Sequence, residues 1–234
     1  IVLVLGDRYE IFSAVVSAYF DRIPIAHVSG GEITQGALDD GIRHSITKLS
    51  SIHFVTNKIY ANRVEQLGEN KKNIHVVGST SVEDINKIRF YSKKEIKNVI
   101  NYNFKRKNFL ITFHPVTLEQ NYGLKDFKTI LKYFSNKHHI GIIFTLPNTD
   151  TKNYKIISLI KTFVKKNKNS YFFKYLGKQT YFSIIKNFDC VIGNSSSGIS
   201  EVPSLKIPTI NIGTRQKGRI MAPSVIDIKR LSIK

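Results

Sequence analysis

Short apolar runs alternate with stretches of helical periodicity along the first part of the chain. Four runs have the length and composition of buried strands, namely 1–5, 23–28, 52–55 and 74–77. Between them, 10–19 and 39–49 carry apolar side chains three or four positions apart, which is typical of helices that bury one face. The alternation predicts a parallel sheet with helices on both faces.

The same alternation begins again in the second half of the chain. The predicted strands there are 109–113, 140–146, 171–175, 190–192 and 209–212. The segment before them is polar and charged and lacks a strand pattern, so we take 91–106 as a connector between domains 1–90 and 107–234. The sequence therefore predicts an α/β protein of two doubly wound domains, with parallel sheets that face a cleft.

Polar side chains follow six of the predicted strands at their carboxyl ends, which is where doubly wound sheets bind ligands. The positions are Asp7, His27 to Glu32, His114, Asn148 with Asp150, Asn194 to Ser197, and Arg215. One such position carries little information, whereas six strand ends with the same character predict a binding site along these edges.

Two glycine-flanked segments have the composition of phosphate sites. In 193–201, small residues let a ligand approach the backbone, and N–H groups at a helix start favour phosphate. Glu201, one turn into the predicted helix, suits ribose hydroxyls. In 211–219, two arginines and a lysine suit a diphosphate. The structural alternatives are a capped helix after a serine-rich turn and a basic surface loop.

Candidates for proton chemistry lie in the predicted helix 39–49 and after two strands. The helix pairs one turn apart are Asp39 with Arg43 and Asp40 with His44. These carboxylates suit a general base tuned by its neighbours, or they stabilise the helix start alone. Asp7 suits an acid or base, with a helix N-cap as the alternative. His114 suits a phosphate contact or proton transfer, with a structural role as the alternative.

Composition and charge narrow the classes of function. The formal net charge is +19, which is compatible with a nucleic-acid-binding protein. However, the lysines lie in Lys/Asn/Ile-rich stretches, and no stripe of arginines interleaved with aromatic residues is present. Solvent-exposed surfaces therefore explain the charge better. Cys190 is the one cysteine, which favours a reducing compartment, and we expect a cytoplasmic protein. No apolar run approaches the roughly 20 residues of a membrane helix, so we expect no membrane partner. Histidine and cysteine spacing predicts no metal site.

Taken in order, these motifs resemble the hydrolysing UDP-N-acetylglucosamine 2-epimerases of sialic acid biosynthesis, over nearly the whole chain. The matching segments are 6–8, 27–32, 39–48, 114–117, 147–148, 193–196 and 213–219. Non-hydrolysing relatives carry Gly-Asp-Thr at the first motif and Arg-Arg-Glu near the histidine, whereas this chain has Arg8 and Pro-Val-Thr. The resemblance implies two Rossmann-like domains of glycosyltransferase-B architecture, the first lacking its N-terminal segment, and a fragment with little activity alone.

The resemblance also implies an activity and roles for residues. UDP would be eliminated from C1 as the C2 proton is removed, and water would add with inverted C2, without metal or redox cofactor. Carried over by position, the catalytic candidates are Asp7, Asp39, Glu32 and His114, and the substrate-binding candidates are Arg8, Arg43, His44, Asn148, Ser195, Ser196, Glu201 and Arg215.

One motif departs from the family pattern, because Ser29 stands where some relatives have glutamate. Glu32 or a bound water would then do that acid–base work, or the substrate differs. Four alternatives to this reading stay open: the same reaction on a UDP-diacetamido sugar, a non-hydrolysing epimerase, a glycosyltransferase, and a non-catalytic sugar-nucleotide sensor. The family habit favours a homo-oligomer.

Overall fold

The computed structural model describes residues 1–35, 38–121, 123–147 and 153–232. The chain divides into two compact units. The first consists of Ile1–Ser81 with Lys217–Arg219, and the second of Val82–Gln216 with Ile220–Lys234. Each unit is built on a parallel sheet with helices, which confirms the predicted α/β class. No helix within the described ranges is long and apolar enough to span a bilayer.

The sheet of the first unit runs in chain order. Its strands are β1 (Val2–Leu5), β2 (Ile25–Val28), β3 (Ile52–Val55) and β4 (Ile74–Val76), all parallel and paired in the order β1-β2-β3-β4. Its helices are α1 (Tyr9–Phe20), α2 (Asp39–Leu49) and α3 (Lys58–Gln66), with a 3-10 turn at Lys71–Asn73. Val15, Ile25 and Ile46 form its buried core where α1 and α2 pack on the sheet.

The order in which the chain adds strands to the second sheet reverses in the middle of that sheet. Its strands are β5 (Lys107–Thr112), β6 (Ile140–Thr145), β7 (Ser170–Phe173), β8 (Cys190–Gly193), β9 (Thr209–Ile212) and β10 (Val225–Ile228). The parallel order is β10-β9-β8-β5-β6-β7. The chain adds β6 and β7 on one side of β5, and β8 to β10 on the other. The switch point, where such sheets bind ligands, therefore lies between β5 and β8.

Alternating side chains of the second sheet feed two separate cores. Ile111 and Ile142 pack on one face with α6 (Leu124–Phe134) and α7 (Asn153–Lys166). Leu110 and Ile143 pack on the other with α8 (Lys178–Asn187). The remaining helical elements are α4 (Thr80–Ile85), α5 (Lys93–Ile100), α9 (Ser197–Ser200) and a 3-10 turn at Val202–Leu205. Both faces are covered, as the apolar strands predict.

The predicted connector, 91–106, packs as part of the second unit. Ser92 starts α5 with a capping box to Glu95. Ile96 and Tyr102 are buried in the core, and the Tyr102 hydroxyl donates to Asn108 Oδ1 at 2.8 Å. The polar pattern of this segment describes its solvent face only, and a few apolar side chains anchor it. The division between the units falls instead after Ser81.

Sequence patterns also missed strand β10, for a related reason. Val225–Ile228 pairs with β9 at the sheet edge, and Ile226 and Asp227 are exposed. A short edge strand with a charge and an exposed apolar residue lacks the continuous apolar run of a central strand.

Candidate functional site

Arg43 organises a polar cluster at the carboxyl end of the first sheet. Its side chain is 2% exposed. Nη2 donates to the carboxylate of Asp7 and, at 3.1 Å, to Thr34 Oγ1. Nη1 donates to the backbone oxygen of Glu32 at 3.0 Å and to Asp40 Oδ1 at 3.3 Å. We call Asp7, Glu32, Thr34, Asp40 and Arg43 the Arg43 cluster.

Asp7 is brought to this cluster by the turn that ends β1. Gly6 has φ +94, a conformation that side chains disfavour, and its N–H donates to Val28 O at 3.3 Å. The turn directs the Asp7 carboxylate to Arg43, which lies 36 positions further along the chain. Arg8, the next predicted site residue, is half-buried and lies 3.7 Å from Glu10, with its guanidinium over the Tyr9 ring.

Helix α2 contributes the other predicted carboxylates, and it spans the predicted range 39–49. Asp40 accepts from the backbone N–H of Thr34 as well as from Arg43. His44 Nε2 lies 3.8 Å from Asp40 Oδ2, as the one-turn spacing predicts. Burial lowers the pKa of His44, and the neighbouring Asp40 opposes that shift. Asp39 is half-buried in the first turn of the same helix.

Glu32 is paired with Arg219, one of the two arginines in the predicted diphosphate loop. Its carboxylate accepts from Arg219 Nη2, and Arg219 belongs to the first unit although it lies 187 positions away. The N–H of Gln35 donates to Lys217 O at 3.0 Å in the same unit. The segment Lys217–Arg219 is part of the predicted diphosphate loop, and its arginine pairs with a carboxylate in the first unit.

Asn194 organises a second cluster at the switch point of the second sheet. Its side chain is fully buried. Oδ1 accepts from the N–H of His114 at 2.7 Å, and Nδ2 donates to His114 O at 2.8 Å. The backbone oxygen of Asn194 accepts from Arg215 Nη1 at 3.1 Å and from Gln216 Nε2 at 2.8 Å. We call His114, Asn194, Arg215 and Gln216 the Asn194 cluster.

Three predicted strand-end residues therefore meet in one place. The loops after β5, β8 and β9 carry His114, Asn194 and Arg215, and these strands are neighbours in the sheet. His114 is buried, and Arg215 is half-buried. Gln216 Oε1 is buried without a hydrogen-bond partner in the described part of the chain. Asn148, predicted to line the same edge, and Asp150 lie outside the described residues.

The serine-rich loop begins at a glycine that no other residue replaces easily. Gly193 has φ +142, and an added Cβ would lie 1.8 Å from Thr112 O on β5. After it, Ser195 is half-buried, and its Oγ accepts from the N–H of Ser197 at 3.4 Å. Ser196 is exposed. Ser197 Oγ accepts from the Tyr181 hydroxyl at 2.9 Å, and burial raises the pKa of Tyr181 to about 12.

The helix after this loop is shorter than predicted, which changes the position of Glu201. Helix α9 ends at Ser200, and a 3-10 turn follows at Val202–Leu205. Pro203 has no N–H to continue the α-helical bonding. Glu201 thus lies at the junction, half-buried, with its backbone oxygen accepting from Ser204.

Sequence reasoning gave no individual role to several residues that make buried polar contacts, and it left others out. Asn194, Gln216, Arg219 and His27 were seen only as parts of motifs, and Thr34 and Tyr181 were not considered. A buried histidine in an apolar strand was the available signal for His27. Among the described residues, no group of three or more His, Cys, Asp or Glu side chains is arranged to hold a metal ion.

The fold and these clusters define a class: a doubly wound α/β protein with charged and hydrogen-bonding side chains grouped at the carboxyl ends of parallel strands. Residues 1–232 match the family described as UDP-N-acetylglucosamine 2-epimerase. The chain belongs to that family, which confirms the resemblance drawn from its motifs.

Two curated relatives are similar over nearly all of this chain. One is the "GDP/UDP-N,N'-diacetylbacillosamine 2-epimerase (hydrolyzing)" of Campylobacter jejuni, 41% identical over 97% of this chain and 59% of that protein. The other is "Polysialic acid biosynthesis protein P7" of Escherichia coli, 41% identical over 97% of this chain and 58% of that protein. The chain thus spans a little under three fifths of these relatives.

A solved structure shares the fold. It is the UDP-GlcNAc 2-epimerase of Methanocaldococcus jannaschii in complex with UDP-GlcNAc and UDP. The TM-score is 0.75 at 20% identity, and the match covers 97% of this chain and 64% of that one. Similarity at this level of identity concerns the fold.

Proposed function

We propose that the protein is a hydrolysing 2-epimerase of a UDP-linked N-acetylated amino sugar. Its substrate is UDP-N-acetylglucosamine or a close UDP-diacetamido sugar, and its products are UDP and the free sugar with inverted C2, of the N-acetylmannosamine type. The observation that carries the proposal is the position of the Asp7 carboxylate, which follows β1 and is held by the buried Arg43 of α2.

The reaction needs two proton transfers at C2 and one departing diphosphate. A base removes the proton from C2 while the C1–O bond to UDP breaks, which leaves a double bond between C1 and C2. An acid then delivers a proton to C2 from the opposite face while water adds its hydroxyl at C1, and the proton that the water loses returns to that acid. The protein must therefore supply carboxylates for C2 and cationic or N–H groups for the diphosphate.

In the proposed assignment, the carboxylates come from the first unit. Asp7 and Asp39 act as the acid and base. Arg43 keeps the Asp7 carboxylate in one orientation. Glu32 is the third candidate and does the work that Ser29 is unable to do. Its pairing with Arg219 means that it must exchange a partner or act in the paired state.

The nucleotide is assigned to the second unit. His114 and Arg215 are joined through Asn194, and Ser195 and Ser196 follow directly. A guanidinium and serine hydroxyls are suitable donors for a diphosphate, and Glu201 is the candidate for the ribose. Arg8, Arg43 and His44 are the proposed sugar-side contacts in the first unit. Asn148 remains a candidate for the nucleotide pocket on sequence grounds.

The Campylobacter relative favours the diacetamido sugar as one of the two substrates, because its name specifies diacetylbacillosamine. We propose that the enzyme works without a metal or redox cofactor, in the cytoplasm, as a homo-oligomer. We also propose that it binds neither nucleic acid nor a membrane.

Product analysis in deuterated water tests the function. The complete protein is incubated with each candidate sugar nucleotide, and the products are identified by NMR and mass spectrometry. We expect free UDP and a free sugar with inverted C2 that carries one deuterium there. Inverted sugar still attached to UDP would favour a non-hydrolysing epimerase, and transfer to an acceptor without deuterium at C2 would favour a glycosyltransferase. UDP binding without turnover of either substrate would indicate a sensor.

A further inference from the structure

His27 is a buried polar residue in the first unit to which no role has been given. It lies in β2 and is fully buried. Its Nε2 is 2.9 Å from the backbone oxygen of Gly6, and its Nδ1 is 3.1 Å from Thr47 Oγ1. Gly6 immediately precedes Asp7. Thr47 lies on α2, one turn after Arg43, and its Oγ1 is 3.0 Å from Arg43 O.

One position of the proton on a neutral imidazole fits both ring contacts. A neutral imidazole carries one N–H, and the Gly6 oxygen only accepts, so the proton must be on Nε2. Nδ1 is then an acceptor, and the Thr47 hydroxyl is the donor available to it. This hydroxyl lies between Nδ1 and Arg43 O and has one proton for the two acceptors. His27 Nε2–H therefore donates to the Gly6 carbonyl, while Nδ1 and the Arg43 carbonyl share the one proton of the Thr47 hydroxyl.

The ring is also held by close packing. A Cβ added at Gly30 would lie 3.0 Å from Thr47 Oγ1 and 3.1 Å from His27 Nδ1, so a side chain at position 30 would press on the ring. The neighbouring strand β1 is fixed by the bond from Gly6 N–H to Val28 O. The imidazole thus has little freedom, and Gly6 is held through its N–H by Val28 and through its carbonyl by His27.

We propose that His27 is a positioning residue for Asp7. Its Nε2–H holds the Gly6 carbonyl and thereby sets the direction in which the following carboxylate meets Arg43. The Thr47 contact anchors the ring against α2. The inference rests on the proposed function, because it takes Asp7 as a group that acts on the substrate. His27 itself touches no reacting atom.

Two substitutions distinguish the contribution of Nε2 from that of Nδ1. The amide nitrogen of glutamine reaches about as far as Nε2, so His27→Gln keeps a donor for Gly6 O. The amide of asparagine reaches about as far as Nδ1, so His27→Asn keeps only the Thr47 side. Both side chains are polar amides of smaller or similar size, and both leave the Asn194 cluster unchanged.

The experiment measures kcat, KM and UDP affinity of the complete protein for the wild type and both variants. We expect His27→Gln to keep kcat within about threefold and His27→Asn to lose about 10- to 100-fold, with KM and UDP affinity within about twofold in both. Thermal unfolding, recorded for each variant, sets an assay temperature at which all three proteins are folded. Equal loss of kcat in both variants, or none in His27→Asn, would overturn the inference while the wild type stays active. A wild type that releases no UDP would overturn the proposed function instead.

A second measurement does not depend on activity or on a variant that folds. In protein labelled with ¹⁵N at histidine, NMR identifies which ring nitrogen of His27 carries the proton. We expect the Nε2–H tautomer with a slowly exchanging proton. A proton on Nδ1 would leave Gly6 O without this donor, and it would contradict the proposed positioning.

Discussion

At the scale of single residues, the stability of the first unit depends on the hydrogen bonds that the buried guanidinium of Arg43 makes. Removing a guanidinium from water is costly unless its donors find acceptors in the fold. Arg43 has four such acceptors, two of them carboxylates, in the turn after β1, on α2 and in the segment between β2 and α2. The planar guanidinium reaches these separate positions at once, which an ammonium group is unable to do.

Arg43→Lys tests this dependence. A lysine keeps the charge but leaves several of the four acceptors without a donor, so we expect the variant to lose about 3 kcal/mol of unfolding free energy. Urea denaturation followed by circular dichroism measures it. The matched control is Arg89→Lys, since Arg89 is exposed and pairs with Glu95 at 2.6 Å. The control should lose at most about 1 kcal/mol. Equal losses of unfolding free energy in the two variants would show that the four hydrogen bonds of Arg43 do not determine the stability of the unit.

His27 makes the stability of the fold depend on pH. Burial, together with the charges of His53 and Arg43, lowers the pKa of His27 from 6.5 to about 4, while the Gly6 bond and Asp7 oppose the shift. Between these two values the unfolded chain binds a proton that the native state does not, so stability is complete above pH 6.5 and is lost as the pH falls. We expect the wild type to lose about 2 kcal/mol from this group between pH 7 and pH 5.

The comparison with His27→Gln isolates this titration. Burial also lowers the pKa of His44 and of His53, which changes stability in the same direction. Both histidines are present in the variant, so the difference between the two unfolding free energies reports His27 alone. Urea denaturation at pH 7, 6 and 5 gives that difference. A difference independent of pH would contradict the depressed pKa.

At the scale of elements, the strand-end loops depend on single backbone positions. Thr112 on β5 lies beside Gly193 on β8, and the two strands come together at the switch point of the sheet. The close approach requires the absence of a side chain at 193, because Thr112 O occupies the place of a Cβ. Helix α2 presents the opposite case, with Gly41 in its first turn exposed and open space around it.

Substituting the two glycines by alanine should change stability in opposite directions. Gly193→Ala places a methyl group on a backbone oxygen and imposes φ +142 on a chiral residue, so we expect a loss of about 3 kcal/mol or more. Gly41→Ala improves helix propensity without a clash and should add about 0.5–1 kcal/mol. Thermal and urea unfolding give both values. A tolerated alanine at 193 would contradict the close strand approach.

At the scale of the whole molecule, the two units carry different chemical groups. The first has the carboxylates with their buried arginine, and the second has the Asn194 cluster with the serine-rich loop. In the proposed function this division separates proton transfer from nucleotide binding. Substitutions in the two units should then change different kinetic quantities.

Asp39→Asn and Arg215→Ala test that separation. We expect Asp39→Asn to lower kcat by about 100-fold or more with UDP affinity unchanged. Arg215→Ala should weaken UDP binding by about 1–3 kcal/mol, because one charge-assisted donor is lost. Calorimetric titration with UDP and a coupled assay of UDP release measure the two effects. Lys161→Ala, an exposed charge on α7, controls for loss of positive charge. Loss of UDP affinity in Asp39→Asn would contradict the assignment.

Local pattern was sufficient for most elements and for the family. Strands 52–55 and 209–212 and helix 39–49 have the predicted bounds, because apolar periodicity and turn residues act between close neighbours in the chain. The polar residues after strands were also recognisable, since the carboxyl ends of parallel strands share one edge.

Only the tertiary structure decided which of these residues meet. The placement of β8 beside β5 brings Asn194 to His114, 80 positions earlier, and folding of the first unit brings Arg43 to Asp7 and Arg219 to Glu32. Likewise, only the structure shows that Ile96 and Tyr102 are buried in the core of the second unit. The segment 91–106, which was predicted to connect two domains, therefore belongs to one of them. Contacts between distant positions depend on strand order and packing, which leave no periodic signal in the local sequence.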